Sequence, residues 1–449
     1  MSGLTTAITD RAWFDGVAQR VCVPVDGAER VALYLRSEVS DFIRFNRGAV
    51  RQATQVTHAV GTLSVVSGAR RIESSLTLSG DAQADVAVLL DERARLIATL
   101  VDVPEDRFLL LPDAATHSTR DERGALPTPA ALVDAVATAA HGLDFVGFYA
   151  GGPIVRAYAD SLGSRHWHHV VSFHIDWCLY HGQDKAVKSS YAGSEWRNDE
   201  FARRVAVGAE RVALLALPPK RLPPGAYRAW LTPTAMNEVL GILGWGGFGA
   251  RARRNGTSSL GRLASGDLRL HPSVHLDEDA RLGSAPAFSP TGFARPPVVS
   301  LVAAGVAIDT LNSPRSAGEY GLQANAASDE EGPQSLRLRP GSLAESDVLS
   351  TLGTGLYVSN LWYLAYSDRP AGRITGMTRF ACFWVEDGKL VAPLDVMRFD
   401  DSALRMLGDG LVALGERADV IPDGSTWDGR QLGSTTTPGA LIAGWQLTL

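Results

Sequence analysis

Alternating apolar and polar positions dominate the first part of the chain. Four segments between Arg30 and Ser79 follow this two-residue period and are separated by glycine and serine, which predicts a run of β-strands. From Ala84 to Val101 the apolar residues recur at the three- and four-residue spacing of a helix. A second helix is predicted over Pro129–Ala140, because proline fits the first turn of a helix.

The next segments predict two strand pairs. Phe145–Tyr149 and Ile154–Ala159 flank Gly151-Gly152, which predicts a hairpin. His169–Trp177 and Ala186–Tyr191 have the pattern of a second pair of strands. We therefore expect the helices of this part to pack against a sheet.

The proline-rich segment Leu215–Gly225 predicts a boundary between two domains. It follows a helical pattern over Glu195–Ala213 and precedes another over Thr232–Leu243. We therefore expect an N-terminal domain over residues 1–218 and a C-terminal domain over residues 219–449.

Strands predominate in the C-terminal part. Asp387-Gly388 is a strong signal for a tight turn between two of them. Short helices are predicted over Ser313–Tyr320 and Ser402–Leu414. The chain contains no internal repeat and no low-complexity segment.

Length and composition indicate a folded protein with more than one core. The chain has 449 residues, of which 45% are hydrophobic and 20% are charged. Its net charge of −6 argues against a general nucleic-acid binder, because no basic excess is present to neutralise phosphates. Neither a signal peptide nor an apolar run of the roughly 18 residues that cross a membrane is evident. With only three, widely spaced cysteines, the protein is expected in the cytoplasm.

The densest cluster of potential metal ligands lies around one predicted strand, and its members are His166, His168, His169, His174, Cys178 and His181. On a strand, His174, Asp176 and Cys178 share one face. Three successive ligands on one strand cannot easily converge on one ion at about 2 Å from each. A structural role is therefore favoured, and a self-sufficient hydrolase that uses this cluster stays open as an alternative.

Residues 355–399 contain the most specific sequence motif of the chain, which begins GLYVSNLWYLAYSDR and continues through ITGMTRFACFWVEDGKL. They resemble the C-terminal signature of the TldD/PmbA family, the paired subunits of a bacterial zinc metallopeptidase. Ser300–Ala326 and Leu270–Ala294 also resemble segments of that family. The resemblance extends from about Gly225 to the C-terminus and is weaker over residues 1–200. It implies an α+β protein, with an N-terminal α/β domain and a C-terminal, mainly antiparallel, barrel-like β domain.

The resemblance also implies where a zinc site would lie. The family's zinc-bearing subunit carries H-E-x-x-x-H on a helix and a cysteine near the C-terminus. The corresponding positions here are Asn237, Glu238 and Ile242, and Trp427–Leu449 contains no cysteine. Asparagine is a poor zinc ligand and isoleucine is none. No shift of the register supplies two histidines, because none lies between residues 182 and 270.

Aromatic residues and arginines cluster around residues 356–379. Core strands with a charged turn explain most of this pattern. A peptide-binding wall or a subunit contact is the functional alternative, because aromatic and arginine side chains dominate interfaces. The candidates for lining such a cavity are Asn360, Tyr366, Arg373 and Arg379.

The pattern as a whole resembles the PmbA/TldE subunit, which lacks zinc ligands and pairs with a zinc-bearing TldD-like subunit. The resemblance implies no cofactor in this chain, zinc in the partner, and hydrolysis of small or unfolded peptides by the complex, including peptide maturation. Whether the chain forms a homodimer when it is alone stays open. The alternative function is a stand-alone peptide- or ligand-binding protein derived from the same fold.

Overall fold

Two sheets with associated helices make up the computed structural model, which describes residues 7–182 and 185–448. The helices are α1 (Arg11–Val21), α2 (Ala82–Leu100), α3 (Pro129–Ala139), α4 (Asn198–Leu215), α5 (Pro233–Gly244), α6 (Ala250–Arg254), α7 (Gly261–Ala264), α8 (Pro314–Tyr320), α9 (Val348–Leu352) and α10 (Ala403–Met406), with a 3₁₀ turn over Glu345–Asp347.

Strands β1 to β7 form the first sheet and are β1 (Arg30–Asn46), β2 (Ala49–Ser67), β3 (Arg70–Thr77), β4 (His117–Glu122), β5 (Asp144–Asp160), β6 (Arg165–His181) and β7 (Lys185–Gly193). The remaining strands form the second sheet and are β8 (Gly225–Leu231), β9 (Leu276–Asp279), β10 (Val298–Ala303), β11 (Val306–Ala307), β12 (Ser335–Leu338), β13 (Gly355–Val358), β14 (Asn360–Asp368), β15 (Arg373–Arg379), β16 (Phe383–Glu386), β17 (Lys389–Pro393), β18 (Arg398–Ser402), β19 (Leu411–Pro422) and β20 (Ser434–Leu447).

In the first sheet the strands follow the order β3-β2-β1-β5-β6, and β6 is long enough to have two neighbours on its far edge. β4 runs parallel to its first half, and β7 runs antiparallel to its second half. Helices α1 and α2 pack on the β1–β3 side of one face, while α3 and α4 pack on the β5–β7 side of that face. The opposite face turns toward the second sheet.

The predicted helices of this part are confirmed, and side-chain caps explain where two of them begin. Asp81 accepts hydrogen bonds from two backbone N–H groups at the start of α2, and Thr128 caps α3, whose first residue is Pro129. The helix expected over residues 195–213 is α4. Of the four strand segments predicted between residues 30 and 79, the first two form the single strand β1, and the other two lie in β2 and β3.

The hairpin predicted at Gly151-Gly152 is wrong. β5 runs through both glycines without a turn. A Cβ atom on Gly152, whose φ is +145°, would lie 2.0 Å from the Val39 carbonyl oxygen of β1. Glycine is therefore needed here for a close approach of two backbones at an irregularity of the β1–β5 pair, and not for reversing the chain.

The second sheet branches and is mainly antiparallel. Its described strands follow the order β11-β10-β9-β12-β20-β8-β13-β16-β17, and β20 also pairs with β18 and β19. The α+β class is confirmed, but the barrel-like form is not, because the described strands do not close into a barrel. Asp387 and Gly388 have φ values of +48° and +73°, which confirms the tight turn between β16 and β17.

Two predicted short helices have different outcomes. Ser313 caps α8 as the pattern predicts. The helix expected over Ser402–Leu414 ends at Met406, however, and β19 begins at Leu411. The backbone N–H of Gly410 turns back to the carbonyl of Arg405, so the chain leaves the helix after one turn.

Helix α4 and the segment after it connect the two sheets. The last strand of the first sheet ends at Gly193 and the first strand of the second begins at Gly225, so the division expected at residue 218 lies between α4 and β8. Whether the two parts are separate domains stays a prediction. Within the described residues, no helix combines the length and the apolar character needed to cross a membrane.

Candidate functional site

β6 carries a row of polar side chains on the face that turns toward the second sheet. Side chains alternate along a strand, so every second residue of β6 points away from the helices. The inward residues Phe173, Ile175, Trp177 and Leu179 are buried in the core against α3 and α4. The outward residues are only partly buried and are Ser172, His174, Asp176, Cys178 and Tyr180. The prediction that His174, Asp176 and Cys178 share one face is confirmed.

A cavity of about 370 Å³ lies between the first two residues of this row, Ser172 and His174, and the second part of the chain. Its far wall is the loop of residues 423–433, which joins β19 to β20, together with Gly283 and Ser284. Gly424 lies against the imidazole of His174, where a Cβ atom would be 3.0 Å from the Cε1 atom of that ring. The cavity is therefore bounded by both sheets within a single chain.

Arg430 fixes the loop to the first sheet. Its guanidinium donates hydrogen bonds to the carbonyl oxygens of Gly152 (3.0 Å) and Ser172 (2.8 Å) and to the Ser172 hydroxyl (2.9 Å). Desolvation lowers the pKa of Arg430 to about 10, while the neighbouring Glu38 carboxylate opposes this shift. The Glu38 carboxylate also accepts the backbone N–H of Arg430 at 3.3 Å. The buried arginine thus closes one end of the cavity.

Two charged groups lie close to His174 on β6 and β7. Its Nε2 atom lies 3.9 Å from Oδ1 of Asp176, and the Lys188 ammonium lies 4.0 Å from Oδ2 of the same carboxylate. Burial lowers the pKa of His174, and the Asp176 carboxylate only partly offsets that effect. The imidazole is therefore neutral at pH 7 and can both donate and accept a hydrogen bond. Lys188 lies on β7 directly opposite Cys178.

Helix α5 presents the three positions that correspond to the family's zinc motif. Asn237 is half-buried, and Ile242 packs against the core of the second sheet. The Glu238 side chain is exposed to solvent, yet nearby protein atoms partly desolvate its carboxylate and raise its pKa, while the Lys188 charge lowers it. Zinc needs imidazole, thiolate or carboxylate ligands, and these positions supply a single carboxylate. The donor set does not fit a zinc ion.

The other candidate ligands do not gather into a metal site either. His166 is bonded to the hydroxyls of Thr116 and Ser118, and His168 to the Ser284 carbonyl. Over residues 7–182 and 185–448, the structure has no group of three or more His, Cys, Asp or Glu side chains placed to hold a metal ion.

None of the four predicted residues is among those that line the 370 Å³ cavity, and two of them lie together on β14 and β15. Asn360 is buried at the start of β14 and is paired with Arg379 of β15. The Arg379 guanidinium stacks 4.5 Å from the Trp362 ring centroid, and its charge acts on the pKa of the Cys178 thiol, which burial raises. Arg379 therefore adds positive charge near Cys178 of β6.

The other two predicted residues have structural partners. The Tyr366 hydroxyl donates to the Ile242 carbonyl oxygen at 2.6 Å, which fixes the end of α5 to β14. Arg373 is exposed and forms an ion pair with Asp400 of β18. Neither contact involves the β6 row.

The sequence pattern did not identify two side chains that contribute to the site, those of Lys188 and Arg430. Lys188 could have been found from the alternation of β7, once its register with β6 was known. Arg430 has no local signal, because its partners Gly152 and Ser172 are far away in the sequence.

Comparisons with known proteins agree with the fold. The family model described as PmbA/TldA metallopeptidase C-terminal domain matches residues 224–448. TldE from Thermococcus kodakarensis superposes with a TM-score of 0.80 and 12% identity, covering 97% of this chain and 100% of that one. A candidate modulator of a DNA gyrase from Thermotoga maritima MSB8 gives a TM-score of 0.76 and 14% identity, with 97% and 99% covered.

A similar candidate gyrase modulator from Bacteroides thetaiotaomicron VPI-5482 gives a TM-score of 0.72 and 15% identity, with 99% and 98% covered. At these identities the superpositions establish the fold alone. No curated protein matches the chain by sequence. Because the family model covers half of the residues, and the fold agrees along almost the whole length, the chain belongs to the TldD/PmbA family.

Proposed function

We propose that this chain is a zinc-less, TldE-like subunit of a TldD-type metallopeptidase complex that acts on small or unfolded peptides. The observation that carries the proposal is the chemistry of α5. Where a catalytic zinc site requires several ligands, the helix offers Glu238 between a half-buried asparagine and a residue packed in the core. Hydrolysis is then the task of a zinc-bearing partner.

The cavity gives this subunit a part in substrate binding. Its wall combines hydroxyls, backbone groups of glycines and the neutral His174 imidazole, which suit the alternating donors and acceptors of a peptide backbone. Outside the cavity, Lys188 and Arg379 place positive charge farther along β6, beside Asp176 and Cys178. The proposal includes a cytoplasmic location, which three unpaired cysteines support.

The test is reconstitution with a zinc-bearing homologue encoded in the same genome. Each subunit is purified alone, and peptide hydrolysis is measured for each one and for the mixture. The proposal predicts no hydrolysis by this chain and activity in the mixture. It also predicts that Glu238→Gln in this chain leaves the activity of the mixture unchanged. Hydrolysis by the isolated chain, abolished by Glu238→Gln, would overturn the proposal.

A stand-alone binding protein is the second candidate, and one observation favours it. The 370 Å³ cavity is complete within one chain, so a ligand could bind without any partner. Calorimetric titration of the isolated chain with short peptides separates the two. Tight binding that depends on His174, together with no complex formed with the zinc-bearing homologue, would favour this second function.

A further inference from the structure

Arg379, the last residue of β15, has a guanidinium that contacts two aromatic rings. Its guanidinium carbon lies 4.5 Å from the centroid of the Trp362 ring and 5.2 Å from that of Phe380. The side chain is half-buried, yet in the part of the chain that the structure describes it has neither a hydrogen-bond acceptor nor a carboxylate partner. On the same strand, Arg373 is paired with Asp400. The five N–H donors of Arg379 are therefore held in place by the rings and are not used by the described chain.

A second positive charge contacts the same aromatic ring. The Lys188 ammonium lies 5.9 Å from the centroid of the Phe380 ring. Lys188 is directly opposite Cys178 on β6, and the charges of both Lys188 and Arg379 act on that thiol. The Asp176 carboxylate is 4.0 Å from the ammonium, which is too far for a hydrogen bond. The donors of Lys188 are therefore also available to a ligand.

The backbone of Phe380 has a conformation that a bulky side chain rarely adopts. Its φ is +60°, in the left-handed region. The chain turns here between the end of β15 and the start of β16, and the Phe380 carbonyl accepts the backbone N–H of Cys382 at 2.9 Å. Strained backbone of this kind is concentrated at binding sites, where the surrounding structure maintains it. At this position, the strained turn brings the phenyl ring to both Lys188 and Arg379.

We propose that Lys188 and Arg379 form a binding site for a carboxylate group of a peptide. The planar fork of Arg379 matches the two oxygens of a carboxylate, and Lys188 adds a second positive charge. Asp176 and Glu238 both lie near enough to interact with the Lys188 charge, so they reduce the net positive charge of the site. A singly charged carboxylate therefore fits better than a doubly charged phosphate. The inference rests on the proposed function in taking a peptide as the ligand.

The distance between this site and the cavity corresponds to a short peptide. Cys178 follows His174 by four residues on β6, which is about 13 Å along a strand. His174 lines the cavity, and Cys178 lies beside the two positive charges. An extended peptide covers this distance with the same number of residues. A peptide held by its carboxylate at Arg379 can therefore place an upstream residue at the cavity.

The experiment measures peptide binding to the isolated full chain by calorimetric titration. Three N-acetylated hexapeptides differ only at their last residue, which is alanine with a free carboxylate, alanine carboxamide or glutamate carboxamide. The free acid should bind at least about tenfold more tightly than the alanine carboxamide. If the glutamate carboxamide binds as tightly as the acid, the site accepts any peptide carboxylate; if it binds as weakly as the alanine carboxamide, the site accepts the C-terminal one. Equal affinities of all three peptides would overturn the proposal.

Substitutions assign the preference to the two side chains. Arg379→Gln should lower the affinity for the acid to that for the alanine carboxamide and leave the latter unchanged, and Lys188→Gln should reduce the preference in part. Arg373→Gln is the matched control and should retain it. An undiminished preference in Arg379→Gln would contradict the assignment, while the comparison of peptides on the wild type needs no variant to fold.

The outcome is separate from that of the reconstitution test. If none of the three peptides binds, or if the acid has no advantage, this inference fails even when the mixture with the zinc-bearing homologue hydrolyses peptides. If the acid is preferred through Arg379 and the mixture is inactive, the inference stands and the peptidase role fails.

Discussion

At the scale of single residues, the contact between the sheets contains histidines that remain neutral. The His166 imidazole stacks on Phe288 with the ring centroids 4.7 Å apart, and both ring nitrogens are bonded to hydroxyls, those of Thr116 and Ser118. Burial, assisted by the nearby His117, lowers the pKa of His166 to about 4. Protonation therefore disturbs a contact that joins the two parts of the chain.

The free energy of unfolding should reflect this histidine at acid pH. The unfolded chain binds the proton at about pH 6.5, earlier than the folded chain does. His166 therefore has no effect above that pH, and it destabilises the fold progressively as the pH falls to about 4. His166→Gln removes this titration. Urea unfolding is measured at pH 7 and at pH 4.5. Between these two pH values, the free energy of unfolding of the variant relative to that of the wild type should increase by roughly 2–3 kcal/mol.

The exposed His141→Gln serves as the control for this prediction. It should follow the wild-type pH dependence throughout. Parallel curves for the wild type and His166→Gln would contradict the assigned role of the histidine.

At the scale of elements, β5 shows how a long-range contact overrides a local signal. Gly151-Gly152 has the composition of a turn, yet the strand continues because Gly152 admits the Val39 carbonyl oxygen of β1 and then presents its own carbonyl to Arg430. Gly152 therefore links the centre of the first sheet to the loop that closes the cavity.

Substitution of Gly152 tests this account of β5. Gly152→Ala would place a methyl group 2.0 Å from the Val39 carbonyl oxygen, so we expect a loss of more than about 2 kcal/mol in the free energy of unfolding. Gly16→Ala is the matched control, since Gly16 lies within α1 with no atom within 4 Å of the added methyl. The control should stabilise the protein by about 0.5–1 kcal/mol. Equal effects of the two substitutions would refute the close-contact explanation.

Elements with a local cause could be predicted from the sequence, and those set by distant contacts could not. The alternation in β6 correctly predicted the face that His174, Asp176 and Cys178 share, and Pro129 correctly predicted the start of α3. Tyr366 was expected in the cavity, but its hydroxyl binds the end of α5, a partner that no pattern within β14 specifies. The strand at Leu411 was missed because the return of the chain at Gly410 depends on backbone bonding to Arg405.

At the scale of the whole molecule, Arg430 connects the loop between β19 and β20 with the first sheet. It is 6% exposed, and its guanidinium satisfies backbone oxygens of both β5 and β6. The cavity keeps its shape only if this loop stays in place. Arg430 therefore contributes both to the stability of the fold and to the shape of the site.

Removal of this side chain should destabilise the molecule. Arg430→Ala leaves the carbonyls of Gly152 and Ser172 buried without their hydrogen-bond donor and removes the positive charge beside the Glu38 carboxylate, which we expect to cost about 3–5 kcal/mol in urea unfolding. Arg417→Ala removes an arginine whose side chain is 72% exposed and should cost less than about 1 kcal/mol. A loss for Arg430→Ala as small as that of the control would show that the loop is held by other contacts.

The claim that this chain lacks a catalytic metal is tested most directly by its metal content. Zinc per chain is measured by mass spectrometry on the untagged protein after purification with added zinc, alongside the Glu238→Ala variant. We expect far less than one zinc per chain, and the same value for the variant. One zinc per chain in the wild type, lost in Glu238→Ala, would contradict the account.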